Sequence, residues 1–300
     1  MYAQLLPIIA PVAICALLGY GWARSGRPFD REFVTRVIMN FGAPCLILDG
    51  ISGLEASADQ FLVSLGAAVA VLASCAMAGA AVLAVSRQPL RSHLPPVVFG
   101  NVGNLGLPLC LFAFGREGLG LAVAFYLTGS LSQFILGPLF QGREPAWRTL
   151  LTTPIIYAAA AGLLVVGLQL QMPLWMKNTV GLLAGAAIPL MLLALGHAVG
   201  SFPVARLAAA WRIAALRLLL GFGTGWLLVQ LFAFDGTLRG VVLIEASMPV
   251  AVFNYLLAAR YDRHPEDVAG AIVISTLLAF LLLPALLLYA LGGAHAVNGP

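Results

Sequence analysis

An apolar run from Pro96 to Gly115, PVVFGNVGNLGLPLCLFAFG, constrains this chain more than any other stretch. At about 20 residues it is long enough to cross a bilayer, yet Asn101, Asn104, three closely spaced glycines and Pro108 interrupt its middle. Gly100, Gly103 and Gly106 lower helix propensity, and Pro108 removes a backbone donor. Leu107, the residue before proline, is steered away from the α region. The pattern predicts a helix that breaks near the bilayer midplane. Irregular backbone is tolerated at that depth only where it is buried in protein or lines a cavity, so the break points to a site.

The surrounding chain has the same character. It is 61% hydrophobic and 9% charged over 300 residues, where a soluble domain carries about 25% charge. This composition defines an all-α polytopic membrane protein. The first run, Tyr2 to Trp22, has no basic residue ahead of it and is long enough to span, so it reads as a retained first span and not a cleaved signal. Apolar runs bounded by charge or by Gly and Pro place ten transmembrane helices at 3–22, 34–52, 61–85, 94–114, 118–140, 151–168, 176–198, 206–231, 238–259 and 267–290. The connections after spans 1, 3, 5, 7 and 9 hold Arg24, Arg27, Arg31, Arg36, Arg87, Arg91, Arg143, Arg148, Arg206, Arg212, Arg260 and Arg263. The opposite set holds Arg116, Lys177 and Arg239. The positive-inside rule then puts both termini outside a cell membrane of the bacterial inner-membrane type. Loop placement accounts for the net charge of +4, and no nucleic-acid partner is implied. Arg217 lies deep within span 8, where it either snorkels or faces the protein interior. Cys15, Cys45, Cys75 and Cys110 stand alone in apolar runs and read as small buried hydrophobes, with no metal spacing.

The connection Gln141 to Thr149 divides the chain into five-span units, 1–140 and 150–291. Pro44 and Pro189, Pro108 and Pro249, and Pro138 and Pro284 recur 145, 141 and 146 positions apart. Because five is odd, the second unit enters the membrane from the other side, which makes a 5+5 inverted repeat. The counterpart of the opening run is Arg239 to Arg260, with Glu245, Ser247, Pro249 and Asn254 in an apolar field, expected to break near Ser247 to Val250. Pro108 and Pro249 would each open a half-helix, the position where proline is best tolerated. Two positive helix ends would then meet at mid-membrane, and a carboxylate is their natural ligand.

The motifs GNVGNLGLP at 100–108, MPVAVFNYLLAARYD at 248–262 and STLLAFLLLP at 275–284 resemble the auxin efflux carrier family, in particular its prokaryotic permeases. The resemblance runs from about residue 3 to about residue 290. It implies a scaffold bundle of spans 1, 2, 6 and 7, a transport bundle of spans 3–5 and 8–10, and broken spans 4 and 9 crossing where an organic anion binds. It also implies a homodimer formed through the scaffold. The matching crossing residues are Asn101, Gly103, Asn104, Gly106 and Pro108 with Ser247, Met248 and Pro249. The long cytosolic loop of the plant hormone exporters is missing, which favours mono- or dicarboxylates such as malate or malonate over an auxin-like indole carboxylate.

These readings make the chain a carrier of small organic anions working by alternating access, with an anion channel as the alternative. The substrate-binding candidates are Asn101, Gly103, Asn104, Pro108, Ser247, Pro249 and Asn254. Intramembrane amides donate to carboxylates, while the bland alternative has them capping freed backbone. Glu245, Ser275, Thr276 and Gln133 are candidates for coupling to a proton or sodium ion. For Glu245 the alternative is a structural hydrogen bond to span 4 or Arg239, and for the hydroxyls it is satisfying carbonyls freed by the breaks. Thr128, Ser130 and Ser132 belong to the same polar belts. Asn40 is a weaker candidate for facing the substrate, and Asp49 is expected to be solvated. Gly181 and Gly185, Gly196 and Gly200, and Gly221 and Gly225 are spaced for close helix approach, chiefly internal. His93, His197, His264 and His295 are scattered, and no hydrolase or metalloprotease motif is present, so no catalytic residue, metal or cofactor is assigned.

Overall fold

A computed structural model describes residues 2–53, 58–140 and 151–292 of the chain. The expected connection at 141–149, with Arg143, Trp147 and Arg148, and the tail with His295 lie outside them. Among the described residues the protein is entirely helical apart from one isolated two-residue β-bridge. The helices are α1 (Tyr2–Arg24), α2 (Arg31–Val37), the π-turn π1 (Ile38–Gly42), α3 (Ala43–Ser52), α4 (Ala58–Val85), α5 (Leu90–Val98), π2 (Val102–Gly106) and α6 (Leu107–Phe140). After them come α7 (Pro154–Gly167), α8 (Leu174–Ser201), α9 (Leu207–Leu231), α10 (Gly236–Ala246), α11 (Phe253–Arg260) and α12 (Pro265–Gly292).

Seven stretches among the described residues are long and apolar enough to cross a membrane unaided. The difference from ten spans has physical causes. The α7 helix is short, and α5, α10 and α11 are half-length pieces. Span 5 continues from span 4 because α6 turns at Gly115 (φ 66°, ψ −150°), a conformation only glycine adopts readily. Large apolar side chains such as Leu182, Leu219 and Leu281 face outward, as expected where lipid replaces water.

Two prolines sit just after π-turns. Pro44 and Pro108 each follow a π-turn by two residues, and Leu107 is helical (φ −53°, ψ −49°) despite preceding proline. Each proline therefore sits in the first turn of the helix that resumes after a π-turn, where a missing N–H costs least. The break in span 4 accordingly falls at 99–101, ahead of the position expected around Pro108.

The α1 helix packs along α8, and α3 packs on α7 and α8. Around the breaks, α4 contacts α5, α6 and α9, while α9 lies against α12 and α10 against α6. Gly196 and Gly200 allow α8 to close on Ala16, Tyr20 and Ala23 of α1, and Gly221 and Gly225 allow α9 to close on Ala246 of α10. Gly181 and Gly185 differ from the expected internal packing, because a Cβ at either would meet nothing within 4 Å.

Candidate functional site

The two breaks touch through their backbones. Asn101 N–H donates to Pro249 O at 2.7 Å and Ala251 N–H to Phe99 O at 3.1 Å, forming an antiparallel bridge between Gly100 and Val250. At 1.5 Å per residue, α5 and α10 are about 14 Å and about 17 Å long, each roughly half the hydrocarbon thickness. The bridge gives chain that has left one helix and not yet entered the next a hydrogen-bonding partner, as a low-dielectric setting requires. Asn254 Nδ2 also donates to Phe99 O (3.0 Å), and Ser275 Oγ accepts from Val250 N–H (3.1 Å).

Arg217 completes the crossing. It is 2% exposed and among the described residues makes no ion pair; its guanidinium donates to backbone carbonyls. Nε reaches Met248 O (3.0 Å), Nη1 reaches Val97 O (3.2 Å) and Val98 O (2.9 Å), and Nη2 reaches Ala246 O (2.8 Å). These acceptors lie at or just beyond the C-terminal ends of α5 and α10, where orphan carbonyls and the negative helix dipole accumulate. Gly100 makes the approach feasible, since a Cβ there would lie 2.5 Å from Nη2. The sequence left the direction of Arg217 open. The informative signal was its depth, about 15 Å from the helix start, too far for the head group to reach either surface.

A cavity of about 170 Å³ adjoins the crossing. Its polar lining comes from Asn101, Asn104, Tyr126, Ser130, Gln133, Arg217 and Glu245. The α2 and π1 residues that line it are Thr35, Ile38 and Met39, from the end joined to the Arg24–Arg31 connection, and α11 contributes Phe253 and Leu256. The cavity therefore lies on the side of the crossing that faces the arginine-rich connections. The first residues of both outgoing half-helices, Val102 to Asn104 and Val252 to Phe253, also line it, and N–H groups at such positions have no intrahelical acceptor.

Two polar atoms here are buried without a partner, Asn101 Nδ2 and Glu245 Oε2. Glu245 is fully buried as the penultimate residue of α10, which begins at Gly236. Its Oε1 receives only a 3.6 Å contact from Cys110 Sγ, and Gly106 leaves the space its Oε2 occupies. Arg239 points elsewhere, donating to Tyr289 O and Ala290 O.

The structure brings Asn101, Gly103, Asn104, Gln133 and Glu245 together around this cavity and places the other candidates differently. Pro108 is buried within α6, so the outgoing half-helix starts at Val102 instead. Pro249 lies within the break, where its carbonyl holds Asn101, and α11 starts only at Phe253. Ser247 Oγ donates back to Leu243 O and faces a separate, mostly apolar cavity of about 300 Å³. Asn254 is engaged with Phe99 and accepts from Gln133 Nε2 (3.2 Å). Ser275 supports the bridge, and Thr276 Oγ1 is buried without a partner away from the cavity. Asn40 is exposed, and the neighbouring Ile38 and Met39 face the cavity instead. Asp49 is paired, its Oδ1 lying 3.2 Å from Arg116 Nη2. Two of the cysteines read as small buried hydrophobes lie against buried charged residues, Cys110 by Glu245 and Cys75 by Arg217 at 3.8 Å.

A second polar group lies at the arginine-rich end, where His93 Nε2 is 3.2 Å and Arg206 Nη1 3.6 Å from Asp267 Oδ2. It joins α5 to the starts of α9 and α12, and distance in sequence concealed it. Among the described residues no group of three or more His, Cys, Asp or Glu is arranged to hold a metal.

Crossed half-helices beside a polar cavity, in a bundle with seven stretches long and apolar enough to cross a membrane among the described residues, mark a multi-pass membrane protein. Residues 142–287 match the model of a membrane transport protein family. This is a family of transporters and not of enzymes. The chain is 24% identical over 298 residues to an uncharacterized transporter of Methanocaldococcus jannaschii, covering 93% of this chain and 96% of the relative. It is 29% identical over 292 residues to an uncharacterized transporter of Methanothermobacter thermautotrophicus, covering 92% and 95%. A putative malonate transporter of Rhizobium meliloti is 25% identical over 210 residues, covering 65% of this chain and 66% of that protein.

Proposed function

We propose that this transporter carries small organic anions of the mono- or dicarboxylate class by alternating access. The observation that carries the reading is the meeting of donors without acceptors on one side of the crossing: Asn101 Nδ2, the Asn104 amide and the first N–H groups of two half-helices. Such donors match carboxylate oxygens, and low dielectric strengthens them. The ten-span, inverted-repeat reading is supported by the turn at Gly115 and by two half-helices entering the crossing from opposite ends of the bundle. Packing of α1, α3, α7 and α8 among themselves supports a scaffold against which the crossing moves. A homodimer through that scaffold, an inner-membrane location and termini on the outside belong to the same proposal.

A carrier is favoured over a channel because the end opposite the cavity is bridged. There Arg116 contacts Asp49, and Thr237 Oγ1 donates to Glu117 Oε2 at 2.8 Å. Glu245, with an unpaired Oε2 at the crossing, is proposed to exchange a proton or sodium ion as the anion binds. In reconstituted vesicles, Asn104→Ala is expected to lower malonate kcat/KM by roughly 10- to 100-fold, the effect of losing a hydrogen bond to a charged group. Parent-like uptake by that variant would remove the assignment.

A further inference from the structure

The anion reading above leaves one feature unexplained, a buried arginine that bonds four backbone carbonyls and, besides them, only the Cys75 thiol among the described residues. Resting on that reading, we propose that Arg217 is a positioning residue that sets the charge preference of the site, acting through the helix ends it caps.

Four helix ends meet at the crossing. The α5 and α10 helices arrive with their C-termini, while the π2–α6 segment and α11 leave with their N-termini. Each end carries about half an elementary charge, negative at a C-terminus and positive at an N-terminus. Left alone, two negative and two positive ends cancel to first order, and the crossing would not distinguish an anion from a neutral ligand of the same shape. Arg217 adds one full positive charge, and it does so on the negative ends: all three of its nitrogens bond the carbonyls of Val97, Val98, Ala246 and Met248. One whole charge offsets two halves. The backbone field left facing the cavity is that of the two N-termini at Val102–Asn104 and Val252–Phe253, and Glu245 on the same lining opposes it only when ionised without a bound cation.

A separate observation marks the same edge as a ligand position. Asn101, 4% exposed and lining the cavity, has an unpartnered Nδ2 there, a donor awaiting an acceptor. The guanidinium is also built in, with Gly100 and Gly221 leaving the space it fills.

The test compares malonate with malonamide, its uncharged diamide, as ligands of the purified full-length chain by calorimetry. Arg217→Gln keeps donors but removes the charge, whereas Arg217→Lys keeps the charge with fewer donors. Both variants are expected to lower the melting temperature. Only Arg217→Gln is expected to lose the preference for malonate, by roughly tenfold or more, with Arg217→Lys staying within about threefold of the parent. Retention of the parent's preference by Arg217→Gln would overturn the proposal. Should that variant not fold, Arg217→Lys is read between about pH 7 and about pH 10, since a buried amine loses its proton in a range where arginine does not. Cys75→Ser is present in parent and variant, because Cys75 lies against Nη1, and the parent's profile carries the contribution of Glu245 from the same cavity lining. A malonate preference that falls with rising pH in the lysine variant alone supports the role, and a flat profile overturns it. Failure of the parent itself to bind malonate would instead reject the carboxylate reading, and this inference with it. Asn104→Ala is expected to weaken both ligands, which separates contact with the ligand from charge preference.

Discussion

Glu245 and Arg217 line one cavity yet make no ion pair with each other. Arg217 has carbonyls around it, while Glu245 has a thiol contact and one bare oxygen. A buried carboxylate so poorly partnered is costly when ionised, and a cation bound with the substrate relieves that cost. Glu245→Gln is therefore expected to flatten the dependence of malonate uptake on pH and on sodium, measured as initial rates in vesicles. Unchanged dependence on both would remove Glu245 from coupling. Asn101 offers a second test, because its Nδ2 has no partner to lose. Asn101→Ala is expected to weaken malonate binding about tenfold while shifting the melting temperature little, checked by calorimetry beside a thermal scan. At this scale Asn101, Asn104 and Glu245 were legible, because polar groups deep in an apolar run stand out. Ser247 and Asn254 were legible as polar residues but not in their direction. Asn254 caps Phe99 O from 155 positions away, a pairing that no local pattern contains.

The elements of the crossing are shaped by close approach. Gly106 leaves the space that Glu245 Oε2 occupies, and at Gly103 a Cβ would lie 2.6 Å from the Tyr126 ring. Gly223, inside α9, has nothing within 4 Å. Gly106→Ala is thus expected to destabilise the protein by roughly 1–3 kcal/mol through overpacking. Gly223→Ala is expected to stabilise it by up to about 1 kcal/mol through helix propensity. Thermal unfolding in detergent, followed by tryptophan fluorescence, checks both. That spans 4 and 9 break was readable from glycine, asparagine and proline. Where span 4 breaks was not. Proline advertises a missing N–H, but the chain leaves the helix where its carbonyls find other donors, and those belong to Arg217, Ala251 and Asn254.

For the molecule as a whole, the cavity and the bridged end lie on opposite sides of the crossing. The Arg116–Asp49 contact joins α6 to α3, elements from the two halves of the proposed rocking motion. Arg116 is half exposed, and such pairs contribute about 0–1 kcal/mol, so this contact can open during a cycle. Cysteines replacing Asp49 and Arg116, in a background without the four native cysteines, are expected to stop uptake when joined by a bifunctional maleimide. Uptake that survives cross-linking would show that these ends do not separate. By itself the sequence determined that the chain is helical, lies in a membrane, faces its arginine-rich connections to one side and interrupts two spans with polar residues. Each of these follows from composition and local order, which the bilayer reads residue by residue. Only the tertiary structure decided which way Arg217 points, which of the opening run's polar groups remain without partners, and that the run leaves its helix at Phe99, ahead of Pro108. Those outcomes depend on which donor meets which carbonyl across the crossing, and that is settled by packing between segments more than a hundred residues apart in sequence.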